Sequence, residues 1–214
     1  LRRRVHQGGC DRKREELVEI DIKENTMVTK IEVINKLWSQ ENKRVLQAVE
    51  ELRVRGWLVD GSLRGVALCQ AQFQDADLMG ADLRGVDLHQ AQLEFSDLSK
   101  ANLTAAKLTR ATLHGANLDQ ADLTRADLYK ANLRRVNNLT DEQLTQVKRL
   151  WGAIMPDGKT YDGRYNLPGD LELALWKKID TQNPQAMAEF YGVPLEAYLS
   201  GQGKEVKAPS PEPA

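Results

Sequence analysis

At 214 residues, with 41% hydrophobic and 29% charged side chains, the chain has room for one sizeable core and the composition of an ordinary soluble protein. A net charge of -1 gives no general attraction to nucleic acid or anionic lipid, and no apolar run approaches the roughly twenty residues that span a bilayer. Two distant cysteines, Cys10 and Cys69, make neither a disulfide framework nor a zinc-ligand spacing, so a cytoplasmic location is expected.

The opening LRRRVHQGGC is charged but lacks the apolar stretch of a secretory signal or lipid anchor. Lys23 and Glu24 can be encoded by AAG and GAG, a purine run just ahead of the Met27 codon that suits ribosome binding. Residues 1–26 are therefore read as either a charged, disordered arm or untranslated upstream sequence. From 27 to 56 the pattern predicts an N-terminal helical cap. Ile31, Ile34, Trp38, Val45, Val49 and Leu52 recur at helical spacing, and Gly56 supplies the stop. Glu41 interrupts the stripe and the heptads are few, so docking on the next element is expected rather than a coiled coil. Whether Ser39 divides the cap into two helices stays open.

Residues 57–136 carry the defining feature. A large apolar residue falls on every fifth position fifteen times in a row: Leu63, Leu68, Phe73, Leu78, Leu83, Leu88, Leu93, Leu98, Leu103, Leu108, Leu113, Leu118, Leu123, Leu128 and Leu133. Two residues before these centres stand small side chains, among them Val66, Ala71, Ala76, Ala81, Val86, Ala91, Ser96 and Ala131. A helix turns every 3.6 residues and a strand alternates every two, so a period of five would smear its apolar positions around either. The chain must instead turn once per repeat and bury its apolar face against neighbouring repeats. Asp or Asn fills the slot before the centre at Asp77, Asp82, Asp87, Asp97, Asn102, Asn117, Asp122, Asp127 and Asn132, where a short polar side chain bonds nearby backbone and stabilises a turn.

The unit A(D/N)LXX, repeated from Leu63 to Leu133 with Leu58 one period ahead, resembles the pentapeptide-repeat family of bacterial proteins. That resemblance implies an all-β solenoid, a right-handed quadrilateral β-helix with four repeats per coil, here of about four coils flanked by α-helical caps. A twenty-residue coil puts Leu63, Leu83, Leu103 and Leu123 in one column and Phe73, Leu93, Leu113 and Leu133 in another. With coils about 4.8 Å apart, the stack is about 18 Å tall.

After Leu133 the register fails at Asn138. Thr140 and Gln143 form a capping box, and Leu144, Val147 and Leu150 predict a C-terminal capping helix within 137–152. Such caps are needed because the end of a stack exposes unpaired backbone and an apolar cross-section. Residues 153–200 read as a small turn and helical region. Pro156 to Gly158 marks a tight turn, a helix is expected from about Leu171 to Ile179, and two short helices follow, opening at Asn183 and Pro194. GAIMPDGKTYDGRYNLPGDLELA resembles tails of some bacterial pentapeptide-repeat proteins. Residues 201–214 are a disordered tail by composition.

No constellation reads as an active site, so no catalytic, cofactor or metal residue is assigned and no enzyme is expected. Cys69, His89, Thr109 and Tyr129 share one outward column, but zinc asks for three or four ligands. Glu94, His114 and Arg134 share another, beside Phe95, Gly115 and Arg135, on a convex wall without a pocket to exclude water. Asp157, Asp162 and Asp170 lack calcium-loop spacing. Gly65, Gly80, Gly85 and Gly115 are placed in repeat corners. Phe95, Tyr129, Arg134 and Arg135 are the candidate partner contacts.

Some pentapeptide-repeat proteins imitate DNA and bind type II topoisomerases, which requires a dense negative surface. From Gly61 to Asp97 six acids and two bases give a balance of -4; from Leu98 to Val136 three acids and seven bases give +4. The stack is neutral and polarised along its axis, unlike a duplex. AMAEFYGVPLEAYL has helix-turn-helix spacing, but its second helix carries Glu196 and no Lys or Arg. The expected function is a rigid protein-interaction module with a protein partner, neither membrane nor nucleic acid, and self-association allowed. A topoisomerase ligand and a helix-turn-helix DNA binder are the alternatives.

Overall fold

The structure is a computed structural model and describes residues 29–203. The arm or upstream sequence expected for 1–26, and most of the tail expected for 201–214, lie outside the described residues.

Two helices precede the repeats, α1 (Lys30–Lys36) and α2 (Asn42–Val54). Thr29 and Glu32 form a capping box at the start of α1. The stripe does not run through one helix. Between α1 and α2 the Ser39 hydroxyl accepts the Glu41 N–H at 3.1 Å, a local bond that competes with helical pairing. Val33, Leu37, Val45, Ala48 and Leu52 are the most deeply buried residues of this cap.

From Leu63 onward the chain winds in coils of four five-residue sides. Parallel bridges join positions twenty apart, as in Ala67 to Asp87, Gln72 to Gln92, Asp77 to Asp97 and Asp82 to Asn102. At each centre the N–H donates to the coil above, as Leu68 does to Asp87 at 2.7 Å, and the Asp87 N–H donates back to Val66 at 2.9 Å. Each corner is a turn in which the N–H three residues on returns to the centre's carbonyl, as Ala71 does to Leu68. The residue two past the centre takes φ near +60°, as a type II turn requires. Gly65, Gly80, Gly85 and Gly115 occupy that slot, but so do Gln70, Phe95, Lys100 and Arg135. The Asp and Asn side chains accept the N–H two residues on, at 2.8 Å from Ser99 to Asp97 and 2.9 Å from Thr124 to Asp122. Because turn consumes most of each side, what remains of strand is a single bridging residue rather than an extended run.

None of the fifteen centres exceeds 2% exposure. Burying one such leucine contributes roughly 1.5–3 kcal/mol, offset by the ordering of its repeat.

The stack does not stop at Leu133. The predicted capping helix shrinks to α3 (Asp141–Thr145), opened by the Thr140–Gln143 capping box. Beyond it Asp127 pairs with Arg149 and Asn132 with Ile154, both parallel, so residues 146–156 form a partial fifth coil shifted by two residues. Val147 and Leu150 therefore belong to the stack and not to a helix, because the open edge of the fourth coil offers their backbone partners. A hairpin follows, with Tyr161 N–H donating to Ala153 at 2.9 Å around the Pro156–Gly158 turn. Then come α4 (Pro168–Trp176), α5 (Pro184–Tyr191) and α6 (Leu195–Gly201). Helix α4 begins three residues earlier than expected, with Pro168 at its first turn.

Candidate interaction surface

Both ends of the stack are closed by side chains. At the lower end Trp38 Nε1 donates to the Ala67 carbonyl at 2.5 Å, Asn42 Nδ2 to Gln72 and Gln74 at 3.1 and 2.9 Å, and an Arg53 guanidinium nitrogen to Asp77 at 2.5 Å. These carbonyls point to where an earlier coil would lie, and three side chains stand in for it. At the upper end the Asp170 carboxylate accepts the N–H of Trp151 at 2.9 Å and of Leu150 at 3.3 Å. Asp170 is fully buried, and that burial pushes its carboxyl up to about 7 although both N–H groups and Arg149 favour the charge. Gly169 donates to the Lys148 carbonyl at 3.0 Å. A Cβ on Gly169 would stand 2.8 Å from that oxygen, so the approach requires glycine. Asp170, Gly169, Trp38 and Asn42 were invisible as functional residues in sequence, since each matters only through a distant coil.

With the ends closed, the walls remain. The wall through Leu68, Leu88, Leu108 and Leu128 carries Cys69, His89, Thr109 and Tyr129 in a column that continues to Trp151. Cys69 is disulfide-bonded, so it is not a thiol ligand beside His89. Tyr129, a candidate partner contact, is half-buried, stacks on Trp151 at 5.4 Å, and lies under Arg149 at 4.7 Å. The return of Trp151 in the fifth coil is what covers it.

The wall through Phe73, Leu93, Leu113 and Leu133 carries the other candidates. Backbone bonds place Glu94, His114 and Arg134 in one column and Phe95, Gly115 and Arg135 in the next. Phe95 is 61% exposed, and its ring lies across Gly115, 2.7 Å from where a Cβ would stand, edge-on to His114 at 5.4 Å. Arg134 and Arg135 are exposed, Arg134 lying beside Gly158.

Asp157, Asp162 and Asp170 are not brought together: Asp157 pairs with Lys159 at 3.7 Å and Asp162 with Arg164 at 2.9 Å. No group of three or more His, Cys, Asp or Glu that could hold a metal ion occurs among the described residues. No helix among them is long and apolar enough to cross a membrane. The helix-turn-helix-like tail folds inward, with Tyr198 of α6 buried and stacked on Tyr191 at 6.1 Å. A cleft of about 320 Å³ between α4 and α6 is lined by Asn166, Leu171, Thr181, Gln182, Pro184, Tyr198 and Gln202 and presents no acid, imidazole or thiol.

Five-residue sides, left-handed corners and twenty-residue coils define a repeat protein with a side-chain-filled interior. Residues 62–99 and 96–135 match the family described as pentapeptide repeats, in eight copies, and the chain belongs to that family. It is 30% identical to the pentapeptide repeat protein Rfr23 of the cyanobacterium Cyanothece 51142, over 45% of this chain and 60% of that one, with a TM-score of 0.33. It is also 30% identical to a pentapeptide repeat protein of the Arabidopsis thaliana thylakoid lumen, over 44% of this chain and 69% of that one, with a TM-score of 0.22. A third similar structure is QnrB1, a plasmid-mediated fluoroquinolone resistance protein, at 16% identity over 44% and 57% of the two chains and a TM-score of 0.28. The chain thus spans less than two thirds of the length of Rfr23 and of QnrB1. No curated protein matches it.

Proposed function

We propose that this chain is a non-enzymatic interaction module, a quadrilateral right-handed β-helix that presents a rigid side wall to a protein partner. The observation that carries this reading is the closure of both ends by Trp38, Asn42, Arg53 and Asp170 around a filled interior, which leaves the convex walls as the repeats' surface for contact. A convex wall positions side chains for docking but excludes no water from a reacting group. The polarised charge of the repeats favours a partner that is itself dipolar over a mimic of the uniformly negative duplex.

The test is retention of protein partners on the immobilised full chain, compared between the unaltered protein and wall variants. A protein held by the unaltered chain and lost with Arg134→Glu and Arg135→Glu, but kept with Asp170→Asn, supports the reading. Retention indifferent to every wall substitution overturns it, and stoichiometric inhibition of topoisomerase supercoiling would replace it with the duplex-mimic alternative.

A further inference from the structure

The Phe73–Leu133 wall is built differently from its neighbours in the placement of its charges. Each of the other walls holds at least one acid against a cation within the molecule: Arg64 and Arg84 hold Asp82, Lys107 holds Asp87, Arg149 holds Asp127, and Arg53 holds Asp77, although Asp97, Asp119 and Asp122 enter no ion pair among the described residues. On this wall Asp75, Glu94, Arg134 and Arg135 enter no ion pair among the described residues. They are also sorted along the axis. The first coil carries Gln72, Gln74 and Asp75, the second Gln92, Glu94 and Phe95, the third Thr112, His114 and Gly115, and the fourth Asn132, Arg134 and Arg135. Over these four coils acid lies below, base above, and the exposed aromatic ring sits between them; the partial fifth coil adds Asp157, which is paired with Lys159.

We propose that this wall is the interface of a homodimer. Two copies meet face to face with opposed coil axes, related by a twofold axis that lies in the wall plane between the second and third coils. That operation keeps each column opposite itself and exchanges the first coil with the fourth and the second with the third. Asp75 then faces Arg135, Gln74 faces Arg134, Glu94 faces His114, Gln72 faces Asn132 and Gln92 faces Thr112. Each of these five pairs is of opposite charge or able to exchange hydrogen bonds, and no like charges meet among them. Phe95 leans from the second coil over Gly115 of the third, toward the axis itself, so the two rings converge at the centre of the patch, where aromatic anchors concentrate binding energy. Gly115, lacking a Cβ, lets the rings lie flat enough for the walls to approach.

The inference deepens the reading above and rests on it in one respect, that a wall rather than an end makes the contact; a second copy of the chain is the partner. One wall offers less than the roughly 800 Å² per partner of a stable complex, so the dimer is weak and its charge contribution is screened by salt.

Sedimentation equilibrium of the full chain tests it. The unaltered protein should dimerise reversibly at about 50 mM salt and dissociate toward monomer at about 500 mM. Arg134→Glu with Arg135→Glu makes the wall uniformly acidic, and Asp75→Lys with Glu94→Lys makes it uniformly basic. Each variant alone should lose at least about tenfold in self-affinity, and the two mixed should form a heterodimer tighter than the original by about as much. Each substitution copies a charge already present in its own or an equivalent slot: Glu94 precedes Arg134 in its column, Asp75 holds the slot of Arg135, and Lys100 and Lys130 hold the corner slot of Asp75 with φ of 57° and 55°. An unchanged circular-dichroism spectrum of each variant shows that folding is intact. Failure of the mixed variants to associate overturns the proposal, as does a strictly monomeric unaltered chain. A monomer that still retains another protein through this wall overturns the dimer alone, whereas retention indifferent to the wall overturns both readings.

Discussion

Asp170 stands where the next coil would be, its carboxylate accepting the N–H of Trp151 at 2.9 Å from a fully buried position. A β-helix extends by offering backbone donors to its next coil, so a side chain that consumes those donors ends the stack chemically as well as sterically. Asp170→Ala leaves the N–H groups of Leu150 and Trp151 buried without acceptors, at about 1–3 kcal/mol each. The expected result is a loss of about 3 kcal/mol in urea-denaturation stability, with Asp170→Asn losing less because its amide oxygen still accepts. An Asp170→Ala midpoint within error of the unaltered protein contradicts this role.

The same burial makes stability depend on pH in an uncommon direction. Asp170 has a folded value of about 7, above the usual carboxylate value of about 4 in the unfolded chain. Between those values the folded protein binds a proton that the unfolded chain does not, so stability rises as pH falls from about 7 toward 4. Asp60 works in another window. Burial pushes its carboxyl up, but hydrogen bonds from Lys30 and Ser62 outweigh that and bring it to about 2, so its contribution, present above pH 4, is lost as pH falls from there toward 2. Denaturation midpoints should therefore climb from pH 8 to pH 5, and Asp170→Asn should flatten that climb. A midpoint that falls on acidification over this range in the unaltered protein rules the assignment out.

The period of five was legible because a side of five residues leaves two inward positions and one corner, and each carries its own residue type. Leucine fills the centre, a small residue such as Ala101 or Ala106 lies two before it, and a short polar residue such as Asn102 ties the turn. The fifth coil was not legible as such. Leu144, Val147 and Leu150 recur every three residues, which reads as helix, and the two-residue shift introduced by α3 hides the continued register. One trace of the repeat did survive: Ala153, Ile154 and Met155 repeat the small, outward and large order five residues after Leu150. The stacking of Tyr129 was hidden for the same reason, since its cover arrives with Trp151. Phe95 was legible as an aromatic in an outward slot. Its partner Gly115 was read only as a corner, although the ring needs the space that a Cβ there would fill.

Leu103 lies mid-stack at 0% exposure, with coils above and below that restrict collapse around a cavity. Leu103→Ala should lower stability by about 3 kcal/mol or more, whereas Thr104→Ala, one residue on and facing outward, should stay within about 1 kcal/mol. Paired denaturation curves check this, and equal losses at the two positions would remove the basis for assigning inward and outward slots.

Glycines in the corners and in the cap differ in what they are for. Gly80 has φ of +69° with nothing within 4 Å of a built Cβ, and other corners carry lysine, arginine or alanine in the same conformation. Gly80→Ala should therefore cost only about 1 kcal/mol of backbone strain. Gly169→Ala drives a Cβ to 2.8 Å from the Lys148 carbonyl and 3.2 Å from the Arg149 side chain, so it should cost about 2 kcal/mol or more and loosen Asp170 as well. Hydrogen exchange at Leu150 and Trp151 separates the two cases: those amides should lose protection in Gly169→Ala and keep it in Gly80→Ala.

Truncation after Val136 removes the partial fifth coil together with Asp170. The N–H groups of Leu128, Lys130, Leu133 and Arg135, which donate to Arg149, Trp151, Ile154 and Pro156 at 2.8 to 3.0 Å, then face solvent beside the opened apolar cross-section of the fourth coil. An edge of that kind pairs with whatever backbone it meets, including the same edge of another chain. The truncated protein should form oligomers or aggregates that grow with concentration and resist about 500 mM salt, unlike the salt-sensitive dimer proposed for the wall. Light scattering at increasing concentration distinguishes the two, and a truncated chain that stays monomeric with an unchanged denaturation midpoint shows that the cap does not guard the end of the stack.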